Sequence, residues 1–197
     1  MSLQFIDIND FIGEINLDLS SDNNVQAQFE ALGNQVINDI LLDLFNDKLY
    51  NDFYADLSNG VPQTQKFIYL LDGKTYIRIS GETKKYEGLK RMLRYFVYDA
   101  YLEFTHTQNI STGQATNQNE NSVIISRSQL RKVRANIQNK AVNLYNRAIL
   151  FINDNYTDYF SGSDYSFWSP IKKRYLGKIT STTYNNTYFF NRSSEGN

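Results

Sequence analysis

The residues that could do metal or acid–base chemistry are few and isolated. His106 is the single histidine of the chain and cysteine is absent, which excludes disulfides, thiolate metal sites and multi-histidine zinc sites. Glu103 and His106 have the Glu-x-x-His spacing of a carboxylate di-iron helix. That centre requires a second such motif on a facing helix, which a chain with one histidine cannot supply. The sequence therefore predicts no metal site.

Two further patterns imitate catalytic motifs. Gly73-Lys74-Thr75 copies the end of a phosphate-binding loop, but the glycine required five positions earlier is replaced by Ile68. Carboxylates are plentiful in the first sixty residues, and the most regular ones recur every fourth residue, as on the solvated face of a helix: Asp39, Asp43 and Asp47. We therefore expect no catalytic residue and no cofactor, and a protein that is not an enzyme.

Basic side chains form the most regular charged cluster. Arg127, Arg131 and Arg134 stand at positions i, i+4 and i+7, on one face of a predicted helix. Such a face can bind a nucleic-acid backbone, meet an acidic surface of a neighbouring subunit, or simply be solvated. The isoelectric point near 5.8 favours the solvated and inter-subunit roles. We predict these three arginines as interface residues.

The two ends of the chain differ in charge. Residues 1–60 hold eleven acidic residues and one basic residue, a charge of −10, whereas the remainder holds ten acidic and nineteen basic residues, a charge of +9. Acidic and basic surfaces of neighbouring copies that meet would set register and orientation. Two independently solvated surfaces explain the same numbers, and the sequence leaves both interpretations open.

Apolar residues at three- and four-residue intervals indicate the elements that must position these groups. They predict a mainly α fold, a helical bundle of about four to five helices over residues 1–155, with helices near 8–15, 23–46, 49–57, 86–105 and 126–153. One β-hairpin is predicted at about 66–80, because Asp72-Gly73 separates two runs rich in β-branched and aromatic residues. A long polar loop is predicted at about 106–121.

The C-terminal residues 156–197 are predicted to form an extended, aromatic-rich arm. Positions 156–190 contain eleven aromatic residues, although disordered tails are usually poor in them. Such an arm either wraps over its own bundle or lies partly on another subunit, and tyrosine and tryptophan are frequent interface anchors. We predict as interface residues Tyr165, Phe167, Trp168, Tyr175, Tyr184, Tyr188, Phe189 and Phe190.

The order of these parts resembles a known class of proteins. Its most specific pieces are Leu70-Leu71-Asp72-Gly73-Lys74-Thr75-Tyr76 and the later Tyr86-Glu87-Gly88-Leu89-Lys90-x-x-Leu93-x-Tyr95-Phe96. Over residues 8–155 the chain resembles the head-to-tail connector (adaptor, or head-completion) proteins of tailed double-stranded DNA phages. The closest versions are those of Bacteroidales phages, including crAss-like phages.

The resemblance implies a structural virion protein that forms a homo-oligomeric ring, expected to be a dodecamer. The ring would lie at the head–tail junction between the portal protein and tail or other neck proteins, and genomic double-stranded DNA would pass non-specifically through its lumen. The protein would be made in the cytoplasm of the bacterial host. No membrane partner is expected, since no run approaches the ~18 to 20 apolar residues of a membrane span. The alternative is a monomeric helical nucleic-acid-binding protein.

Overall fold

The computed structural model describes residues 3–11, 13–15, 17, 23–45, 47–78, 80–106, 108–110, 113–115 and 127–159. Its α-helices are α1 (Asn23–Leu44), α2 (Asp47–Ala55), α3 (Gln65–Asp72), α4 (Leu89–His106), α5 (Arg127–Asp154) and α6 (Tyr156–Tyr159). Three antiparallel strand pairs are β1 (Leu57–Ser58) with β2 (Val61–Pro62), β3 (Lys74–Ile77) with β4 (Thr83–Tyr86), and β5 (Gln108–Ile110) with β6 (Gly113–Ala115). The predicted mainly α fold class is confirmed.

The core lies where α4 packs against both α1 and α5. Each helix turns one apolar stripe toward the others, as the three- and four-residue spacing requires. The fully buried members include Phe29, Ile37 and Leu41 of α1, Leu89, Met92 and Leu93 of α4, and Ala141, Ala148 and Ile152 of α5. The four helices predicted from this spacing after residue 20 are confirmed, with ends that differ by at most three residues.

The N-terminal segment differs from the prediction of one helix at 8–15. It forms two separate 3-10 turns, Ile8–Asp10 and Gly13–Ile15, which bury Phe11 and Ile15. A segment this short gains few hydrogen bonds against the cost of helix nucleation, and Gly13 has a φ of +73°, outside the helical region. The segment is therefore held by its buried side chains and not by helical propensity.

The β-hairpin predicted at 66–80 is wrong in position. The first predicted strand belongs to α3, in which Phe67, Leu70 and Leu71 are buried at i, i+3 and i+4. Gly73 has a φ of +95°, which ends the helix, and its N–H donates to Tyr69 O at 2.9 Å. A left-handed glycine serves a helix C-terminus as well as a hairpin turn. The hairpin that does form pairs β3 with β4, and its turn contains Gly81 with a φ of +85°.

Two glycines join this hairpin to the helices. A β-carbon on Gly73 would lie 2.5 Å from Tyr86 O, and one on Gly88 would lie 2.5 Å from the carbonyl carbon of Asp72. Both glycines also have positive φ, which other residues adopt only with strain. The end of α3, the end of β4 and the start of α4 are therefore fixed together by direct backbone contact.

Two other predicted boundaries need correction. The polar loop predicted at 106–121 contains β5 and β6, whose backbones pair although Gln108, Asn109 and Gln114 give no apolar pattern. The extended arm predicted from residue 156 begins with the helical turn α6, whose Tyr159 is buried against the rings of Phe67 and Phe151. Residues 160–197 of the predicted arm lie outside the described residues. Among the described helices, none has the length and apolarity to cross a bilayer.

Candidate interaction surfaces

Arg134 on α5 is bound by two carboxylates of α4. Its Nε and Nη2 donate to the Asp99 oxygens at 2.9 and 3.1 Å, and Nη2 also donates to Glu103 Oε2 at 2.9 Å. Gln138 Nε2 donates to Asp99 Oδ2 at 2.8 Å. Burial opposes the charge of Arg134, but the hydrogen bond and negative charge of Asp99 outweigh it and raise its pKa. This network joins α4 to α5.

The three arginines predicted as interface residues therefore have different surroundings. Arg134 is half-buried and its described contacts are within the chain. Arg131 is exposed, and Arg127 begins α5 with a side chain outside the described residues. Helical spacing placed the three on one face, but it could not show that the facing helix carries Asp99 and Glu103. Arg131 is the member whose position fits an intermolecular contact.

The eight aromatic residues predicted as arm anchors cannot be placed. They lie outside the described residues and stay predictions: Tyr165, Phe167, Trp168, Tyr175, Tyr184, Tyr188, Phe189 and Phe190. The nearest described aromatic residue, Tyr159, donates its hydroxyl to Lys66 O at 2.9 Å. The first turn of the predicted arm therefore packs on its own bundle.

A cleft of about 310 Å³ lies between the β3–β4 hairpin and α5, and we call it the hairpin cleft. The register places Tyr76 opposite Lys84, and Lys74 opposite Tyr86, so these side chains share the face that meets α5. Tyr86 stacks on Phe151 with ring centroids 4.2 Å apart and fixes this face. The cleft is lined by Tyr76, Arg78, Lys84, Lys85, Tyr86, Arg147, Leu150 and Asp154.

Asp154 organises one end of the hairpin cleft. It accepts hydrogen bonds from Tyr76 Oη at 2.9 Å and from Arg78 Nε and Nη2 at 2.9 and 3.2 Å. Burial, followed by the hydrogen bond to Asp154 and its charge, raises the pKa of Tyr76 to about 12, so this hydroxyl remains a donor at neutral pH. Lys84 and Lys85 of β4 are both exposed.

The cleft is basic overall. Arg147 Nη1 donates to Glu87 Oε1 at 2.6 Å, and Lys84 Nζ lies 3.1 Å from Glu82 Oε2. Four cations (Arg78, Lys84, Lys85, Arg147) thus meet three carboxylates (Glu82, Glu87, Asp154), a local charge of 4 − 3 = +1. The surface is suited to an anionic partner, and exposed Leu150 gives it an apolar component, at 49 % exposure.

The acidic surface lies on α1 and α2. Asp39 and Asp47 are exposed, and Leu42 beside them is 46 % exposed. Other carboxylates of this region are used within the fold. Asp43 Oδ2 accepts from Tyr145 Oη at 3.1 Å, and Asp52 lies 3.1 Å from Lys48 Nζ. The surface therefore carries fewer unengaged charges than the sequence count of the first sixty residues suggests.

An apolar groove separates α1 from α4, and we call it the α1–α4 groove. Its volume is about 280 Å³. Three carboxylates border it, those of Asp39, Asp99 and Glu103, together with the amide of Gln35. Its floor and walls are apolar and come from Leu32, Val36, Ile40, Phe96, Ala100 and Phe104. The groove combines an apolar interior with a negative rim.

Comparison with known proteins places the chain in a family. The model of the family described as "Family of unknown function (DUF6712)" matches residues 37–166, or 130 of 197 residues. The chain belongs to the DUF6712 family. The match includes the hairpin cleft, α4 and α5, whereas Phe167 and the later arm anchors lie beyond it. No curated protein and no solved structure gives a significant match to the chain.

Sequence reasoning missed the hairpin cleft. Arg147 lies sixty residues from its partner Glu87, and no periodicity in the sequence indicates such a pair. Arg94 stands within the buried stripe of α4, and its Nη1 donates to Asp10 O at 2.6 Å. Within the described residues, no cluster of three or more potential metal ligands is found.

Proposed function

We propose that this chain is a structural connector subunit of a tailed double-stranded DNA bacteriophage. Copies assemble into a closed ring, expected to be a dodecamer, at the head–tail junction of the virion. The ring joins the portal protein to tail or other neck proteins, and the genome passes through its lumen. The resemblance of residues 8–155 to connector proteins supports this proposal.

The observation that carries the proposal is a pair of surfaces of opposite charge, each with exposed aliphatic side chains. The acidic surface of α1 and α2 presents Asp39, Asp47 and Leu42, and the hairpin cleft presents cations with Leu150. A closed ring uses heterologous contacts, which require two different complementary patches on every copy. Charge complementarity sets orientation, and burial of the aliphatic side chains supplies affinity.

Charge reversal tests the pairing of these two surfaces. Native mass spectrometry and sedimentation of the full chain, alone and with a portal ring, should give a closed oligomer for the wild type. Asp39→Lys with Asp47→Lys should prevent it, and so should Lys85→Glu with Arg147→Glu. A chain with all four reversals restores opposite charges across the contact and should assemble again. Lys132→Glu, on the exposed face of α5, is the matched control and should assemble normally.

Two outcomes contradict the proposal. A chain that stays monomeric with and without a portal ring is not a connector. If neither pair of charge reversals affects assembly, the two surfaces do not form the contact. Folding of every variant is checked by urea unfolding, so that loss of assembly is not confused with loss of the fold.

A monomeric nucleic-acid-binding protein is the second candidate, and the cations of the hairpin cleft favour it. Phosphate contacts of this kind give affinity that falls steeply with salt. Arg134 is engaged by Asp99 and Glu103, whereas Lys85 in the cleft is exposed, so Lys85 is better placed than Arg134 to contact a phosphate. Duplex DNA binding by the monomer that is lost in Lys85→Glu with Arg147→Glu, without any oligomer, would favour this candidate.

A further inference from the structure

We infer that the α1–α4 groove binds the C-terminal segment, residues 160–197, of a second copy of this chain. This inference rests on the proposed ring and names the contact that would link adjacent copies. The groove and the segment match each other in apolar character and in charge, and neither property follows from the connector resemblance.

The groove offers an apolar surface that the described fold leaves uncovered. Leu32, Val36 and Phe104 line it and are only half-buried. Its border carries three carboxylates against the single guanidinium of Arg134, a local charge of −2. An occupant must therefore supply apolar side chains for the interior and positive charge for the rim.

The C-terminal segment has this composition. Its thirty-eight residues include nine aromatic residues, more than one in five. Five bases (Lys172, Lys173, Arg174, Lys178, Arg192) exceed two acids (Asp164, Glu195), a charge of +3. Aromatic side chains bury large apolar areas at low entropic cost, which suits insertion into a narrow groove. Complementary charge at the rim fixes the direction of the inserted segment.

The closed ring, and not the reach of the segment, assigns the segment to a second copy, because thirty-eight extended residues can span more than about 100 Å. Tyr159 packs against Phe151 of α5. Arg134, which also lies on α5, is bonded to Asp99 at the border of the groove. Phe151 lies seventeen residues beyond Arg134, about 25 Å along the helix. The segment therefore leaves the bundle away from the Asp99 end of its own groove. In a closed ring, one patch of each copy must meet a different patch of the next, and the segment and the groove form such a pair.

The single tryptophan reports on this contact without a label, because Trp168 lies in the segment. We expect its emission to shift to shorter wavelength, and acrylamide quenching to fall, as the full chain is concentrated from about 0.1 to 100 µM. Ala100→Phe fills the groove with its own side chain and should weaken the transition about 30-fold or more, the effect of removing a hot spot. Ala55→Phe, at the exposed end of α2, is the matched control and should behave as the wild type.

Gln35→Lys provides a second variant at an exposed rim position, should Ala100→Phe disturb the fold, and Gln35 has no part in the charge-reversal test of the ring. It should also shift the transition to higher concentration. Native masses of the same samples separate the two proposals. An oligomer that forms with Trp168 unshifted, or with Ala100→Phe identical to the wild type, overturns the groove inference and leaves the ring standing. A chain that never forms an oligomer overturns both, and an emission shift independent of concentration overturns docking by a second copy.

Cysteine cross-linking identifies the source of the segment, since the natural chain has no cysteine. One sample of Ala100→Cys is mixed with one of Trp168→Cys and treated with a short bis-maleimide. A product of twice the 22.9 kDa chain mass is the expected result. Cross-linking only within a chain that carries both cysteines, with no product from the mixed single variants, would assign the groove to the segment of the same chain and contradict the inference.

Discussion

Replacing Arg134 by methionine tests whether this residue serves the bundle or a neighbouring subunit. The substitution keeps an apolar stem and removes the hydrogen bonds to Asp99 and Glu103. Asp99 is 8 % exposed and retains only the Gln138 amide among these partners. Breaking a buried ion pair on one side costs about 3–5 kcal/mol. The Arg134 side chain is 20 % exposed, so water can partly replace it, and we expect a loss of about 3 kcal/mol.

Urea unfolding at neutral pH, followed by far-ultraviolet circular dichroism, measures this loss. With a denaturant slope of about 1–3 kcal/mol/M, the midpoint should fall by roughly 1–3 M. Arg131→Met removes an exposed arginine from the adjacent turn and should change stability by less than about 0.5 kcal/mol. Asp99→Leu combined with Arg134→Met should recover much of the loss, because no uncompensated charge remains.

The opposite pattern would refute this reasoning. If Arg134→Met leaves the urea midpoint unchanged but prevents assembly, the arginine acts on a neighbouring copy, as its spacing with Arg127 and Arg131 first predicted. If the double variant is no more stable than Arg134→Met, the buried charge of Asp99 is not the source of the loss.

Three further predictions concern the backbone, the alkaline limit and the start of the arm. Gly73→Ala should lower the free energy of unfolding by more than about 2 kcal/mol, because the new β-carbon would clash with Tyr86 O. Gly81 has a similar φ but open surroundings, so Gly81→Ala should lower it by about 1 kcal/mol. Urea unfolding measures both changes. The pKa of Tyr76 is raised to about 12, against 10.0 in the unfolded chain. Its contribution to the free energy of unfolding is therefore full below pH 10 and is lost as the pH rises through about 12. Over this range the urea midpoint of Tyr76→Phe should fall less steeply than that of the wild type. Tyr159→Ala should cost about 3 kcal/mol, whereas truncation after Tyr159 should leave the midpoint unchanged; a large loss on truncation would show that the removed residues belong to the core.

The helices could be predicted because their cause is local. An apolar residue every three or four positions puts one stripe on one face, and the burial of Phe29, Ile37 and Leu41 follows from that period. The hairpin was misplaced because five consecutive apolar residues fit a strand or a helix equally well, and Asp72-Gly73 can end either one. Only the contact of Gly73 with Tyr86, thirteen residues away, decides between them.

The candidate surfaces were predictable only in part, because they depend on which distant residues meet. The basic and acidic counts were available from the sequence, but the partner of each charge was not. Arg134 is bound by Asp99 across two helices, and Asp43 accepts from Tyr145, which lies 102 residues away. An ion pair such as that of Arg134 with Asp99 neutralises charge, so a cluster in the sequence overstates the field at the surface.

This removal of charge limits what electrostatics can do in a ring of these subunits. The hairpin cleft has a local excess of one positive charge. An exposed ion pair between two copies would contribute about 0–1 kcal/mol to their association. Charge can therefore orient two copies but cannot hold them together. The cohesive part of the contact must come from apolar burial. The exposed sources among the described residues are the α1–α4 groove and the side chains of Leu42, Val61, Ile77, Val133 and Leu150. An aromatic segment that enters a neighbour's groove would supply the missing burial, because each aromatic side chain buries about 150–250 Å².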